Sequence, residues 1–317
     1  MPETPEKDPA WERKVIEKLA LETLAEQKRR RRWGIFFKTL GFVYLTLLLA
    51  LLGDWGDTTD KLGDGRKFTA LVQVNGVIKP TGEASAEKIS SALQAAFKDR
   101  GTQGVILRIN SPGGSPVQSG IINDEIRRLR AKHPDIPLYA VVEDVCASGG
   151  YYVAAAADKI YVDKASIVGS IGVLMDGFGF TGTMDKLGVE RRLLTAGENK
   201  GFLDPFSPQD DKHKQHAQLL LDDIHKQFID IVRKGRGKRL KESPELFSGL
   251  MWTGTKSIEL GLADSLGNVD YVAREVIKAE DIRDYTMRAS LTERFARQFG
   301  ADMAEGIMNL VGKAGLK

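Results

Sequence analysis

The feature of this 317-residue sequence that most limits its fold is a regular alternation of short apolar runs and longer amphipathic runs between residues 68 and 162. The short runs are rich in β-branched residues, which is typical of buried strands, and the longer runs have the length of helices. Strands that alternate with helices form βαβ units, whose strands lie parallel in a buried sheet. The alternation therefore predicts an α/β domain with a mostly parallel sheet.

The individual elements follow from the same pattern. Strands are predicted over residues 68–78, 104–109, 137–142 and 159–162, and helices over residues 84–100, 117–131 and 149–158. A long polar helix with one apolar stripe is predicted over residues 210–240. The net charge of only +3 gives no reason to expect a nucleic-acid-binding protein.

A 20-residue apolar segment, residues 34–53, precedes the domain and directly follows the basic run KRRRR. A helix of this length spans roughly the 30 Å hydrocarbon core of a bilayer. A cleavable signal peptide is the main alternative, but its basic region would be unusually long and no A-x-A-like cleavage site follows. We therefore predict an uncleaved single-pass anchor. The basic flank places the N-terminus in the cytoplasm and the domain on the periplasmic or extracytoplasmic side of the inner membrane.

The sequence is thus expected to divide into five parts. These are a cytoplasmic segment (residues 1–33), a transmembrane signal anchor (34–53), a linker rich in Gly and Asp (54–66), a folded domain (67–287) and an amphipathic C-terminal tail (288–317). The tail has the pattern of a helix that docks on the domain, on a neighbouring chain or on the membrane surface, and the sequence does not choose among these.

Two candidate nucleophiles, Cys146 and Ser148, follow the predicted strand at residues 137–142. Ser148 stands at the start of a short helix, where a role as helix N-cap is the alternative to chemistry. Cys146 has the alternative role of a small buried apolar residue. A second Gly-rich turn, residues 110–116, ends another strand. Two such turns at the carboxyl edge of a parallel sheet would supply two walls of an oxyanion site.

The base that would activate a nucleophile is less evident. The histidines lie in polar settings: His133 in a loop, and His213, His216 and His225 on the long polar helix. His213 and His216 are three residues apart, but no third ligand joins them, so no metal site is predicted. A lysine can act as a base only where desolvation lowers its pKa by roughly 3 units. Lys200 lies between glycines and near apolar residues, but the residues alone do not separate it from other loop lysines.

Three segments, LRINSPGGSPVQSG, VCASGGYYVAAAADKIYVDKASIVGSIGV and LTAGENKGFLDPFSP, together resemble the SppA/protease IV family of signal peptide peptidases. The similarity runs in order from about residue 68 to residue 280. It implies a Clp-protease/crotonase-like fold and a Ser-Lys dyad. Matched to the family motif, Ser148 is the nucleophile and Lys200 the general base.

The resemblance also implies the rest of the site. Gly114 and Gly149 are expected to form the oxyanion hole, with Gly113 in the supporting turn, and Ser170 is expected to orient the lysine amine. Members of this size are thought to form membrane-bound rings in which neighbouring subunits share each site. The expected partners are therefore peptide substrates, the lipid bilayer and further copies of the chain, with no cofactor, metal or nucleic acid.

The predicted function is that of a membrane-anchored serine endopeptidase that cleaves remnant signal peptides or other membrane-derived peptides through an acyl-enzyme. Three alternatives stay open: a SohB-like or stomatin-associated membrane protease, a crotonase-type acyl-CoA enzyme, and a catalytically silent peptide-binding scaffold. The long N-terminal segment and the tail depart from the simplest family members.

Overall fold

The computed structural model describes residues 9–52 and 66–287. The chain divides into two compact units, and helix α1, Pro9–Leu52, belongs to the first. This helix of 44 residues continues from the predicted cytoplasmic segment into the apolar segment without a break. No helix in the described ranges combines the length and apolar character that a membrane span requires. The predicted anchor is therefore not confirmed. The predicted tail and nearly all of the predicted linker lie outside the described residues.

The second unit is built on one sheet of eight strands. The strands are β1 (Phe68–Asn75), β2 (Thr102–Ser111), β3 (Leu138–Ala147), β4 (Lys159–Val162), β5 (Ile167–Gly169), β6 (Met251–Thr253), β7 (Ser265–Leu266) and β8 (Ile282–Asp284). The helices of this unit are α2 (Ala86–Lys98), α3 (Pro116–Lys132), α4 (Gly149–Ala154), α5 (Thr181–Leu187), α6 (Asp211–Arg236), α7 (Gly254–Glu259) and α8 (Val269–Tyr271), followed by a π-helical turn over Val272–Ile277.

The strand order confirms the predicted α/β class with a mostly parallel sheet. The main path is β6-β5-β3-β2-β1-β8, while β4 pairs with β3 and β7 pairs with β4. All of these pairs are parallel except β5 with β6. The first four predicted strands and the helices between them are all present. Strand β3 runs further than predicted, to Ala147, and so ends directly at Ser148.

Alternate residues of the central strands feed two hydrophobic clusters, because successive side chains of a strand point to opposite faces of the sheet. Val72, Leu107 and Ala140 belong to the larger cluster with α2, α3 and α4. Leu71 and Ile106 belong to the smaller cluster, which the π-helical turn covers. Burial on both faces explains why these strands read as continuous apolar runs.

The C-terminal half of α6 is fixed to the sheet. Phe228 and Val232 are buried in the larger cluster. At the end of the helix, the buried guanidinium of Arg236 donates two hydrogen bonds to the Asp264 carboxylate, at 2.8 and 2.9 Å. A third bond goes to the Gly261 carbonyl. The long helix therefore has a rigid base, whereas its first half is largely exposed.

Candidate active site

Ser148 lies at the sharp corner between β3 and α4. Its backbone has φ 51° and ψ −122°, a conformation that non-glycine residues rarely adopt. Strained backbone of this kind persists where the surrounding structure enforces it and concentrates at functional sites. Although Ser148 occupies the N-cap position of α4, its side chain makes no capping hydrogen bond. The capping role that the sequence left open is therefore not the one this hydroxyl performs.

The two glycine turns predicted to share one site meet at this corner. A β-carbon built on Gly113 would lie 2.7 Å from Cβ of Ser148 and 2.6 Å from the nitrogen of Gly149. One built on Gly149 would lie 3.2 Å from the nitrogen of Gly114. The separations at Gly113 are too short for a real side chain, and a β-carbon on Gly149 would also lie 2.5 Å from the Ser119 hydroxyl oxygen, so the close approach of the two turns depends on glycine at both positions.

A main-chain frame holds the turn that contains Gly114. The nitrogen of Ile78 donates to the Gly113 carbonyl at 2.8 Å, and the nitrogen of Ser115 donates to the Ile78 carbonyl at 2.8 Å. Gly114 lies between these bonds with φ 147°. In the described part of the chain, no acceptor pairs with the N–H of Gly114 or Gly149. Two unpaired N–H groups beside a serine are the elements of an oxyanion hole.

Ser170 lies next to this corner, directly after the neighbouring strand β5. In the β3–β5 pairing, Ala147 is opposite Gly169, and the nitrogen of Ser148 donates to the Gly169 carbonyl at 2.9 Å. Ser170 follows directly, with φ 51°, and its nitrogen donates to the Leu250 carbonyl at 2.8 Å. The structure therefore brings four of the predicted residues together with Ser148: Gly113, Gly114, Gly149 and Ser170.

Cys146 is fully buried, as predicted. It faces Ser111 on β2 and Val168 on β5 in the sheet register. Burial raises the pKa of its thiol, because the low-dielectric interior disfavours the thiolate. A neutral, inaccessible thiol has no means of attacking a substrate, so Ser148 is the nucleophile candidate of this corner.

Lys200 is not brought to Ser148 within the chain. It lies in a series of tight turns, and its backbone N–H donates to the Gly197 carbonyl at 3.1 Å. Its side chain is exposed, and no contact joins it to Ser148 among the described residues. Lys200 belongs to a segment, residues 173–210, that we call the arm. Most of the arm is exposed.

Three further residues of this corner were not found from the sequence. The Ser111 hydroxyl donates to the Gly76 carbonyl at 2.7 Å and accepts from the nitrogen of Gly113 at 3.1 Å, which fixes the first glycine turn. The buried Ser119 lies under Gly149. His225 Nε2 lies 3.1 Å from the Ile171 carbonyl, next to Ser170. Except for the local bond between Ser111 and Gly113, only the fold reveals these contacts, because the partners are 30 to 54 positions apart.

The same described residues contain no group of three His, Cys, Asp or Glu side chains that could hold a metal ion. The corner thus offers a half-buried hydroxyl and two main-chain N–H groups without an acceptor. This constellation is that of a hydrolase that proceeds through a covalent intermediate.

Comparison with known proteins defines the class. The model of peptidase family S49 matches residues 130–283, a range that contains Ser148, Ser170 and Lys200. A protein of Methanocaldococcus jannaschii assigned as a protease is 30% identical over 229 residues, which cover 69% of this chain and 72% of that protein. The chain belongs to peptidase family S49. The predicted family and its peptidase class are therefore confirmed.

Other relatives differ in how much of their own length this chain covers. A protein of Enterococcus faecium assigned as signal peptide peptidase SppA is 28% identical, over 81% of this chain and 83% of that protein. The Na(+)/H(+) antiporter NhaA of Brucella melitensis is 46% identical over 215 residues, or 64% of this chain. This chain spans only 29% of the length of that relative. A solved variant of the 1510-N membrane-bound stomatin-specific protease, in complex with a substrate peptide, is similar with a TM-score of 0.44 and 12% identity, over 74% of this chain and 98% of that one.

Proposed function

We propose that this chain is a serine endopeptidase in which Ser148 is the nucleophile and Lys200 the general base. The observation that carries the proposal is the meeting of the two glycine turns at Ser148, with the N–H groups of Gly114 and Gly149 unpaired beside it. Membership of a peptidase family supports hydrolysis of peptide bonds over the acyl-CoA chemistry and the silent scaffold considered from the sequence.

The proposed reaction begins when the Lys200 amine takes the Ser148 proton and the resulting alkoxide attacks a peptide carbonyl. Negative charge that develops on the carbonyl oxygen is stabilised by the N–H groups of Gly114 and Gly149. Lys200 then returns the proton to the leaving amine, and the C–N bond breaks. Water, deprotonated by Lys200, hydrolyses the acyl-enzyme and releases the acid product. Ser170, one residue beyond the strand pair that holds Ser148, is proposed to orient the lysine amine.

We propose further that Lys200 acts on Ser148 of a neighbouring copy. The arm exposes large apolar side chains, among them Leu174 (82%), Phe178 (76%) and Leu194 (96%). Exposed apolar side chains that cluster on one segment are typical of a protein–protein contact, and Phe178, Phe180 and Phe206 of the arm lie ring against ring. Contact with a second copy would also exclude water from Lys200, and a lysine acts as a base only when it is desolvated in this way.

The length of α6 favours the same arrangement. His225 contacts the carbonyl next to Ser170, whereas His213 contacts the loop of Lys200. At 1.5 Å per residue, these two contacts are about 18 Å apart along a straight helix. Because α6 is fixed at its base, the arm holds Lys200 away from the serine of its own chain. A ring of copies would let each arm complete the next site.

The remaining parts of the proposal rest on the sequence. The run KRRRR and the apolar segment at residues 34–53 support a single-pass anchor, with a cytoplasmic N-terminus and a catalytic domain on the periplasmic or extracytoplasmic side. The domain boundaries and the Clp-protease/crotonase-like assignment within the α/β class are proposed as predicted. Remnant signal peptides and other membrane-derived peptides are the proposed substrates.

The test is cleavage of a fluorogenic signal-peptide substrate by the full chain in detergent. Ser148→Ala and Lys200→Ala are each expected to abolish turnover, and Cys146→Ala, the matched control two residues away, is expected to retain it. Retention of activity by Ser148→Ala would refute the mechanism. Turnover of a CoA thioester that is insensitive to Lys200→Ala would instead favour the crotonase-type alternative.

The shared site has its own test. Ser148→Ala and Lys200→Ala chains, each inactive alone, are mixed under conditions that allow subunits to exchange. If neighbouring copies supply the two residues, intact sites reappear and part of the activity returns. No recovery, with exchange shown by a fluorescent label, would refute the shared site but leave the Ser-Lys dyad standing.

A further inference from the structure

One aromatic side chain connects the loop of Lys200 to the first turns of α6. The Phe202 ring packs edge-on against His213, with ring centres 5.4 Å apart, and against His216, with ring centres 5.6 Å apart. The two histidines are three residues apart and therefore lie on the same face of the helix. Phe202 occupies the position between them, two residues beyond Lys200.

Polar contacts join the same two segments. His213 Nε2 lies 3.3 Å from Oδ1 of Asn199, the residue immediately before Lys200. Lys212 Nζ lies 2.7 Å from Oε1 of Glu198, although both side chains are exposed and such a pair contributes little. Asn199 and Phe202, on either side of Lys200, therefore both contact His213.

The turns of this loop contain two glycines close to Lys200. Gly197 has φ 104°, and Gly201 directly follows Lys200. Glycine restricts the backbone less than any other residue, so a loop flanked in this way samples many conformations unless side chains hold it. Beyond the hydrogen bonds of its own turns, the contacts with α6 attach the loop to a rigid part of the fold, because the base of that helix is fixed by Phe228 and Arg236.

We propose that Phe202, His213 and His216 form a clamp that positions Lys200 for catalysis. The inference rests on the proposed function, in which Lys200 is the base. None of the three is a catalytic residue: they act by holding the loop at a fixed place on α6. The sequence showed the two histidines only as a metal pair without a third ligand, and the structure assigns them a mechanical role.

The test compares Phe202→Ala with two matched variants of the full chain. Phe202→Tyr keeps the ring, and Lys214→Ala removes an exposed side chain from the same turn of α6. Loss of edge-on ring contacts is expected to lower kcat by about tenfold in Phe202→Ala, with KM within about twofold of the original. Phe202→Tyr and Lys214→Ala are expected to stay within about twofold in both constants.

Amide hydrogen exchange provides a readout that does not depend on activity. Exchange across residues 197–204 is expected to speed up in Phe202→Ala, and in a His213→Ala/His216→Ala double variant, but not in Phe202→Tyr or Lys214→Ala. Unchanged exchange in Phe202→Ala would overturn the clamp. Faster exchange without a fall in kcat, or a loss carried by KM, would overturn its role in positioning the base. If the unsubstituted chain proves inactive on peptides, the proposed function fails, and exchange alone decides whether the clamp exists.

Discussion

Replacement of Gly114 by alanine is the sharpest test of the proposed oxyanion hole. A β-carbon at this position would lie 2.1 Å from the Ile78 carbonyl oxygen and 2.9 Å from the Ile78 nitrogen. These are backbone atoms, so no side-chain rotation relieves the clash. The segment around Ile78 must move, which disturbs both hydrogen bonds that frame the turn.

The cost has two parts. An alanine held at the positive φ of Gly114 is strained by about 1–3 kcal/mol, and the two disturbed hydrogen bonds contribute about 1 kcal/mol each. Folding stability should therefore fall by about 3–5 kcal/mol. Displacement of the Gly114 N–H removes one oxyanion donor, and loss of such a donor lowers kcat by about 10²–10³-fold. The catalytic loss is expected even under conditions in which the variant is fully folded.

The assay is kcat on a fluorogenic peptide, normalised to the folded fraction from a thermal or denaturant unfolding curve. Gly120→Ala on α3 is the control, because its β-carbon would meet nothing closer than the Tyr152 hydroxyl at 4.0 Å. Since alanine favours a helix over glycine, Gly120→Ala should gain about 0.5–1 kcal/mol of stability and keep its kcat. A folded Gly114→Ala enzyme with kcat within about threefold of the original would refute the oxyanion assignment.

Two further predictions concern buried groups. Because burial raises the pKa of the Cys146 thiol, the native protein should resist alkylation by iodoacetamide at pH 8 and react only after unfolding; rapid labelling of the native chain would contradict this. Burial alone would raise the pKa of Asp264, but the hydrogen bonds and charge of Arg236 outweigh it and lower the pKa. Asp264→Asn should therefore cost about 3 kcal/mol at pH 7 by urea unfolding, because it leaves Arg236 buried without its counter-charge. A carboxyl whose pKa is lowered by folding stabilises the fold above its unfolded pKa, and that stabilisation is lost as pH falls. The difference in free energy of unfolding between the original and Asp264→Asn proteins should therefore narrow below about pH 4. A gap that stays constant down to pH 2 would contradict the pairing.

Much of the sheet was predictable because its strands carry their own pattern. The runs that became β1, β2 and β4 are rich in apolar residues and bounded by turn residues, so their existence and place follow from local sequence, although only β4 has the predicted limits at both ends. The three-residue strands β5, β6 and β8 were not predicted. β5 and β8 are strands because the longer strands β3 and β1 offer them hydrogen-bond partners, and β6 pairs in turn with β5.

The candidate site shows the same division. Ser148 and the glycine turns could be located from their place at strand ends, since parallel strands bring their carboxyl ends to one edge. That Gly113 lies against Gly149 depends on the register of β2 with β3, which the sequence does not state. The contacts of His213 and His216 with Phe202 were missed for another reason: aromatic contacts across a loop leave no periodic signal.

Because α6 is fixed at its C-terminal base, a small tilt there is amplified along the helix. From Phe228 to His213 the helix extends about 22 Å, so a tilt of about 5° at the base would carry the far end through about 2 Å. A shift of that size is comparable to the difference between a formed and a broken hydrogen bond. Substitution of a side chain that packs against Phe228, such as Tyr152 with its ring centre 5.2 Å away, is therefore expected to shift the position of Lys200. Substitutions around Phe228 are therefore expected to give proteins that fold and assemble normally but have a low kcat.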